Sequence, residues 1–176
     1  ALSLKVIEKG GIVAGVRYST DYVKAEYYLA KTKEEVLSFA SSKYVQSEKK
    51  NIYTEIEYEL RQGKKVLFVG CPCDVYAVQR YLGKKYDTFL SCEVVCMGVS
   101  SYKVASEYKA YAEKKNGSQL IRINARSKRK GWFVPHLEEE YKNGTIFYAS
   151  TRIFSLVYNS NPLVAKWTFG HTGDFI

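Results

Sequence analysis

Histidine is almost missing from this sequence. His136 and His171 are the only two in 176 residues, and neither has an acid or a nucleophile at a motif spacing. Segments of the G-x-S-x-G, H-E-x-x-H, G-x-G-x-x-G and Walker types are absent as well, so hydrolase and kinase chemistry has no support. No apolar run approaches the roughly 18 residues that span a bilayer, and no signal peptide is read at the start. Four cysteines do not make a disulfide scaffold in a chain of this length, and a C-x-C corner suits a reducing compartment. The cytoplasm is the expected location. Repeats, low-complexity tracts and linkers are also lacking.

What is present fits one domain with a single substantial core, residues 1–176. Hydrophobic residues make up 46% and charged residues 26%, the balance of an ordinary globular protein. Sixteen tyrosines and eight phenylalanines supply core and core edge, with a remainder that could stack on a planar cofactor. The net charge of +9 suits a phosphorylated or polyanionic partner, although surplus lysine also serves solubility. Arg122, Arg126, Lys128, Arg129 and Lys130 gather part of that surplus into nine residues. No zinc-finger, bZIP or RNP-type signature accompanies them, so nucleic acid is not an expected partner.

Residues 64–101 organise the chain. An apolar run, Val66 to Val69, stops at Gly70, and a Cys71-Pro72-Cys73-Asp74 corner follows. A short helical segment then leads to a second apolar run ending at Cys96-Met97-Gly98, and all four cysteines lie inside this stretch. Ligands bind at such strand ends in open α/β sheets.

Upstream, the spacing predicts a helix from Leu2 to Ile7 stopped by Gly10-Gly11, and antiparallel strands at 12–19 and 23–30. A Thr32/Glu35 capping box opens a helix to about Ala40, and Ile52, Ile56, Glu59 and Leu60 mark another that Gly63 closes. Asp74 is expected to cap the helix after the corner, whose Val75, Val78, Tyr81 and Leu82 face the sheet. Residues 89–96 read as a strand buried on both faces. A helix from Ser100 or Ser101 to Asn116-Gly117, a strand at 119–126, and strands near 132–141 and 145–149 turning at Asn143-Gly144 complete the pattern. The predicted fold is α/β, a mixed sheet whose parallel core strands are flanked by helices, with an added antiparallel hairpin.

The thiols admit several readings. Cys96 ends a strand next to the corner and could approach Cys71 and Cys73, but Cys92 lies roughly 13 Å back along that strand. A four-cysteine zinc or iron–sulfur site from these residues alone therefore disagrees with ligand spacing. Cys92 can be read as core and the others as small loop residues, or Cys73 as a lowered-pKa thiol or cofactor contact at a helix N-terminus. The Gly70–Asp74 backbone could instead attract a phosphate. Ser42, Lys43, Tyr44 and Gln46 form a polar loop able to hold a nucleotide, or an ordinary solvated loop. The basic run Arg126–Lys130 before Trp132 could equally be an exposed turn.

Five ordered pieces then carry a resemblance over roughly residues 1–150: Gly10-Gly11, the SSKYVQS loop at 41–47, KKVLFVGCPCD, EVVCMGVSS at 93–101, and Arg126 with Lys130-Gly131-Trp132. Together they resemble the coenzyme F420 hydrogenase/dehydrogenase beta-subunit family. The resemblance implies a flavin-dependent oxidoreductase module that binds FAD and passes hydride or electrons between a reduced deazaflavin, coenzyme F420 or a similar donor, and an acceptor. It implies cofactor contacts from Ser42, Lys43, Tyr44 and Gln46, from Gly70, Pro72 and Cys73 of a G-x-P-C corner, from Cys96, Gly98 and Val99 of a C-H-G-V element, and from Arg126, Lys130 and Trp132. The implied partner is a redox subunit or a small-molecule hydride donor, with room for a homo-oligomer.

This sequence departs from the family pattern in three places. Met97 stands where the family has histidine, and a Ser-Gly-Gly segment expected before residue 1 is absent. Residues 161–176 hold none of the family's downstream cysteines, although Gly173-Asp174-Phe175 matches the G-D-F that the family carries just after them. The expectation is a truncated or diverged member without its own iron–sulfur cluster. Some relatives accompany polysaccharide biosynthesis, and the alternative is a non-catalytic remnant of the fold acting in protein assembly.

Overall fold

The computed structural model describes residues 1–96, 98–131 and 136–150, with no account of the side chains at 149 and 150. The expectations for Met97, Trp132, the strand portion at 132–135, His171 and residues 161–176 lie outside the described residues. The chain gathers into two compact units. The first holds residues 1–20, 24–40 and 47–96, and the second holds 21–23, 41–46 and the described residues after Cys96.

The first unit is a five-stranded mixed sheet in the order β3 (Ser47–Glu48), β2 (Ala25–Ala30), β1 (Ile12–Tyr18), β4 (Val66–Gly70), β5 (Phe89–Glu93). β1 pairs antiparallel with β2 and parallel with β4, and β4 pairs parallel with β5. Helices α3 (Ile52–Arg61) and α4 (Pro72–Leu82) bury Ile52, Ile56, Leu60, Val75, Val78 and Leu82 against Ile12, Ala14, Val66 and Phe68. The other face carries Val13, Ala30 and Leu67, against which α1 (Leu2–Glu8) packs Leu4, Val6 and Ile7. Helix α2 (Lys33–Leu37) begins at the predicted capping box: Thr32 Oγ1 accepts from Glu35 N–H, and Glu35 accepts from Thr32 N–H. It stops at Leu37, short of Ala40.

The apolar run at 89–96 misleads. It suggests a strand buried on both faces, yet β5 is an edge of the sheet and only 89–93 are strand. Leu90 and Val94 are half exposed, and Val95 is 93% exposed. Tyr81 is likewise 45% exposed and leans on Tyr53 instead of facing the sheet.

In the second unit α5 (Tyr102–Asn116) ends at Gly117, whose φ of 63° gives the left-handed stop. Strands β6 (Leu120–Ser127), β7 (His136–Tyr141) and β8 (Ile146–Ser150) form an antiparallel sheet, with the β7–β8 turn at Asn143-Gly144 as expected. Ala112 of α5, Leu120 and Tyr141 share a small core. The α/β architecture, mixed with mostly parallel strands plus an antiparallel hairpin sheet, is the one the sequence predicts.

Candidate functional site

The predicted site residues fall in both units. In the first, β4 ends at Gly70 and the chain turns at once into α4. Cys71 takes the cap position with an extended backbone, and Pro72 occupies the first turn, where its missing N–H costs nothing. Asp74 N–H and Val75 N–H both donate to the Cys71 carbonyl, at 2.9 and 3.0 Å. The expectation that Asp74 caps this helix is therefore corrected: Cys71 holds the cap, and no side chain caps the helix.

Asp74 is buried instead and points at two other groups. Tyr27 Oη donates to its Oδ2 at 2.8 Å, and Lys49 Nζ reaches its Oδ1 at 2.8 Å. Lys49 also donates to the Ser47 carbonyl at 3.1 Å, so β2, β3 and α4 converge on one carboxylate. Burial, and then the Asp74 charge, push the Tyr27 phenol far above the ordinary tyrosine range. Its ring stacks on Phe68 with centroids 5.0 Å apart. Gly70 has no room for a side chain, because a Cβ there would collide with the Tyr27 hydroxyl and lie 2.8 Å from Phe68 Cε1. The close approach explains this glycine, and the sequence offers no sign of it: Tyr27, Lys49 and Asp74 lie far apart along the chain.

Around this buried carboxylate the corner is open. Pro72, Cys73 and Cys96 are exposed and Cys71 is half-buried. The Cys71 and Cys96 side chains hydrogen-bond, and burial together with that contact pushes the Cys71 thiol up to about 12. Cys92 turns into the Val13–Leu67 face, apart from the other thiols. Among the described residues, no group of three or more His, Cys, Asp or Glu side chains could hold a metal.

In the second unit the polar loop meets the segment after Cys96. Val45 forms a parallel bridge with Ser100. Gln46 N–H donates to the Ser100 carbonyl at 2.9 Å, and Ser100 N–H and Oγ both donate to the Tyr44 carbonyl, at 3.2 and 2.7 Å. The structure thus joins Tyr44 and Gln46 to Ser100, directly after Gly98 and Val99, with Ser42 and Lys43 just upstream on the same loop. Gly98 has a φ of 108°, which favours glycine, and open space where a side chain would stand. Lys43 donates to the Ser41 carbonyl at 3.1 Å, and burial pushes its ammonium down to about 8.

Arg126 and Lys130 sit on other elements, β6 and the connection after it. Both are exposed, and Lys130 Nζ lies 4.3 Å from the Tyr148 ring centroid. Behind them β7 buries two successive glutamates on opposite faces. Glu138 accepts from Ser127 and faces Arg129 at 3.5 Å, while Glu139 accepts from Tyr108 and Tyr141. An open recess of about 420 Å³ lies elsewhere in the first unit, lined by Leu29, Lys31, Thr54, Glu55, Tyr58 and Glu59, and none of the predicted residues borders it.

A strand-end corner on an α/β scaffold marks the class, and similarity to known proteins names the family. The family model for the C-terminal region of the coenzyme F420 hydrogenase/dehydrogenase beta subunit matches residues 63–155, just over half of the chain. The chain belongs to this family. A chain of the xenon-derivatised F420-reducing NiFe hydrogenase complex from Methanosarcina barkeri superposes on 86% of it with a TM-score of 0.57 at 16% identity. That likeness is one of fold, and this chain spans 53% of the hydrogenase chain. No curated protein matches.

Proposed function

We propose that this chain is a flavin-dependent redox module that binds FAD and passes a hydride between a reduced deazaflavin, coenzyme F420 or a similar donor, and an acceptor in a partner subunit. The cytoplasm is the compartment proposed for this role. The observation that carries the reading is the corner in a member of this family: an α4 N-terminus that no side chain caps, reached through a glycine held flat against Tyr27.

The residues fit such a group. The Cys73 N–H and the partial positive charge of a helix N-terminus suit a phosphate of that group, while the Asp74 and Val75 N–H groups are taken by the Cys71 carbonyl. Asp74 would oppose an anion there, but its charge is already engaged by Lys49 and Tyr27. Lys43, Ser42 and Gln46 supply a cation and hydrogen-bonding groups, Tyr44 an exposed ring, and Gly98 and Val99 a backbone that a planar ring can approach closely. Pro72, Cys73 and Cys96 would line the corner, and Arg126, Lys130 and Trp132 would hold an anionic donor tail. Bound FAD supplies hydride acceptance at its ring, and the protein's part is placement and electrostatics.

Titrating the purified full chain with FAD tests the proposal through flavin absorbance after gel filtration and through thermal melting. At a hundredfold excess over Kd, binding contributes about 2.7 kcal/mol, or roughly 5–10 °C in Tm. A colourless protein whose Tm does not move with FAD sinks the flavin reading and favours the non-catalytic assembly role.

A further inference from the structure

The corner carries a thiol pair, Cys71 and Cys96, of which Cys96 also lines the proposed flavin site. Parallel pairing sets Gly70 opposite Glu93, and Val94 N–H donates to the Gly70 carbonyl at 2.9 Å. Cys71 follows one residue on and Cys96 three residues on, and their side chains meet in a hydrogen bond. Neither is in a disulfide, and Cys96 is exposed and Cys71 half-buried. Little packing restrains the segment that brings Cys96 in, since Val94 is half exposed and Val95 almost wholly so. Cys73 lies in the first turn of α4, and Cys92 is packed in the opposite face of the sheet.

We propose that Cys71 and Cys96 form a reversible intramolecular disulfide, which makes the corner a thiol–disulfide exchange site for low-molecular-weight disulfides of the glutathione type. Exposed Cys96, as thiolate, attacks one sulfur of the small disulfide, breaks its S–S bond and releases one small thiol. The Cys71 thiol then loses its proton to solvent, attacks the Cys96 sulfur and releases the second small thiol. Two protein thiols are oxidised to one disulfide, and one small disulfide is reduced to two thiols. Exposure sets the order: the small disulfide reaches exposed Cys96 first, and half-buried Cys71, already in contact with that sulfur, takes the second step. The sulfurs must close from hydrogen-bond contact to about 2.05 Å, a movement the exposed 93–96 segment permits. In a reducing compartment such a bond is transient and reports redox state. The inference stands whether or not the chain binds flavin.

The test holds the folded full chain in glutathione buffers of rising oxidised fraction, then quenches with acid, alkylates and maps the peptides. Two of the four alkylatable thiols should disappear together, with Cys71 and Cys96 joined. Fragmentation before Pro72 separates Cys71 from Cys73 and identifies the linked sulfur. Cys73→Ser should keep the bond, and Cys71→Ser and Cys96→Ser should each abolish it. A Cys73–Cys96 bond, glutathione adducts with no internal bond, or a Cys71–Cys96 bond formed only in urea overturns the proposal. The wild-type map decides alone if a serine variant fails to fold.

Discussion

Gly70→Ala is a one-methyl change whose cost can be worked from the structure. The new Cβ would overlap the Tyr27 hydroxyl and lie 2.8 Å from Phe68 Cε1 and 3.3 Å from Asp74 Cβ. Three groups would have to move at once inside a core where Tyr27 is 5% and Phe68 0% exposed. Overpacking of this kind costs about 1–3 kcal/mol. Displacing the phenol also loses its 2.8 Å hydrogen bond to a buried carboxylate, worth about 1.5–3 kcal/mol. A total near 3 kcal/mol is expected, or roughly 6–12 °C in Tm. Tyr27→Phe removes the same hydrogen bond and should cost about 2 kcal/mol by itself. In that background the hydroxyl is gone, so Gly70→Ala should cost only about 1 kcal/mol, a coupling of about 2 kcal/mol in a double-mutant cycle. Urea unfolding followed by circular dichroism measures all four corners. Equal costs in the two backgrounds would refute the claim that the Tyr27 hydroxyl is what forbids a side chain at residue 70.

Four further outcomes are expected in other parts of the molecule. Reductive methylation with labelled formaldehyde should give one lysine resonance titrating near pH 8, assigned to Lys43 by its loss in Lys43→Arg, whereas a spectrum with every lysine near its ordinary value contradicts the burial described. Thr32→Ala should cost about 1 kcal/mol through loss of the capping box, read by chemical denaturation. Glu139→Gln leaves one acceptor for two phenols, half-buried Tyr108 and buried Tyr141, and should destabilise by about 1–3 kcal/mol, with protection from hydrogen exchange lost in β7. Raised folded-state values for the Cys71 thiol and the Tyr27, Tyr108 and Tyr141 phenols mean that the unfolded chain releases these protons first. Their contribution is complete below the ordinary thiol value near 8.5 and falls as pH rises toward 12, so urea midpoints should decline across that window; a flat profile speaks against it.

The distance in sequence between cooperating residues decides what could be read from the chain alone. The Thr32/Glu35 box, the Asn143-Gly144 turn and the α3 apolar stripe are local, and each appears where its spacing puts it. The 89–96 run fails for a physical reason: apolar composition cannot distinguish a central strand from an edge, and β5 has β4 on one side only. Asp74 shows the same limit. Helix-start chemistry makes Asp the natural cap, yet the chain places Cys71-Pro72 there and spends the carboxylate on Tyr27 and Lys49, partners 47 and 25 positions away. Motif matching names Gly70, Pro72, Cys73 and Cys96 but is blind to the residue between the first two, since Cys71 fills the variable position of G-x-P-C. The one position that the family pattern leaves free is the one whose side chain meets Cys96. Individual behaviour in this chain is therefore better sought at that thiol than at the motif residues around it.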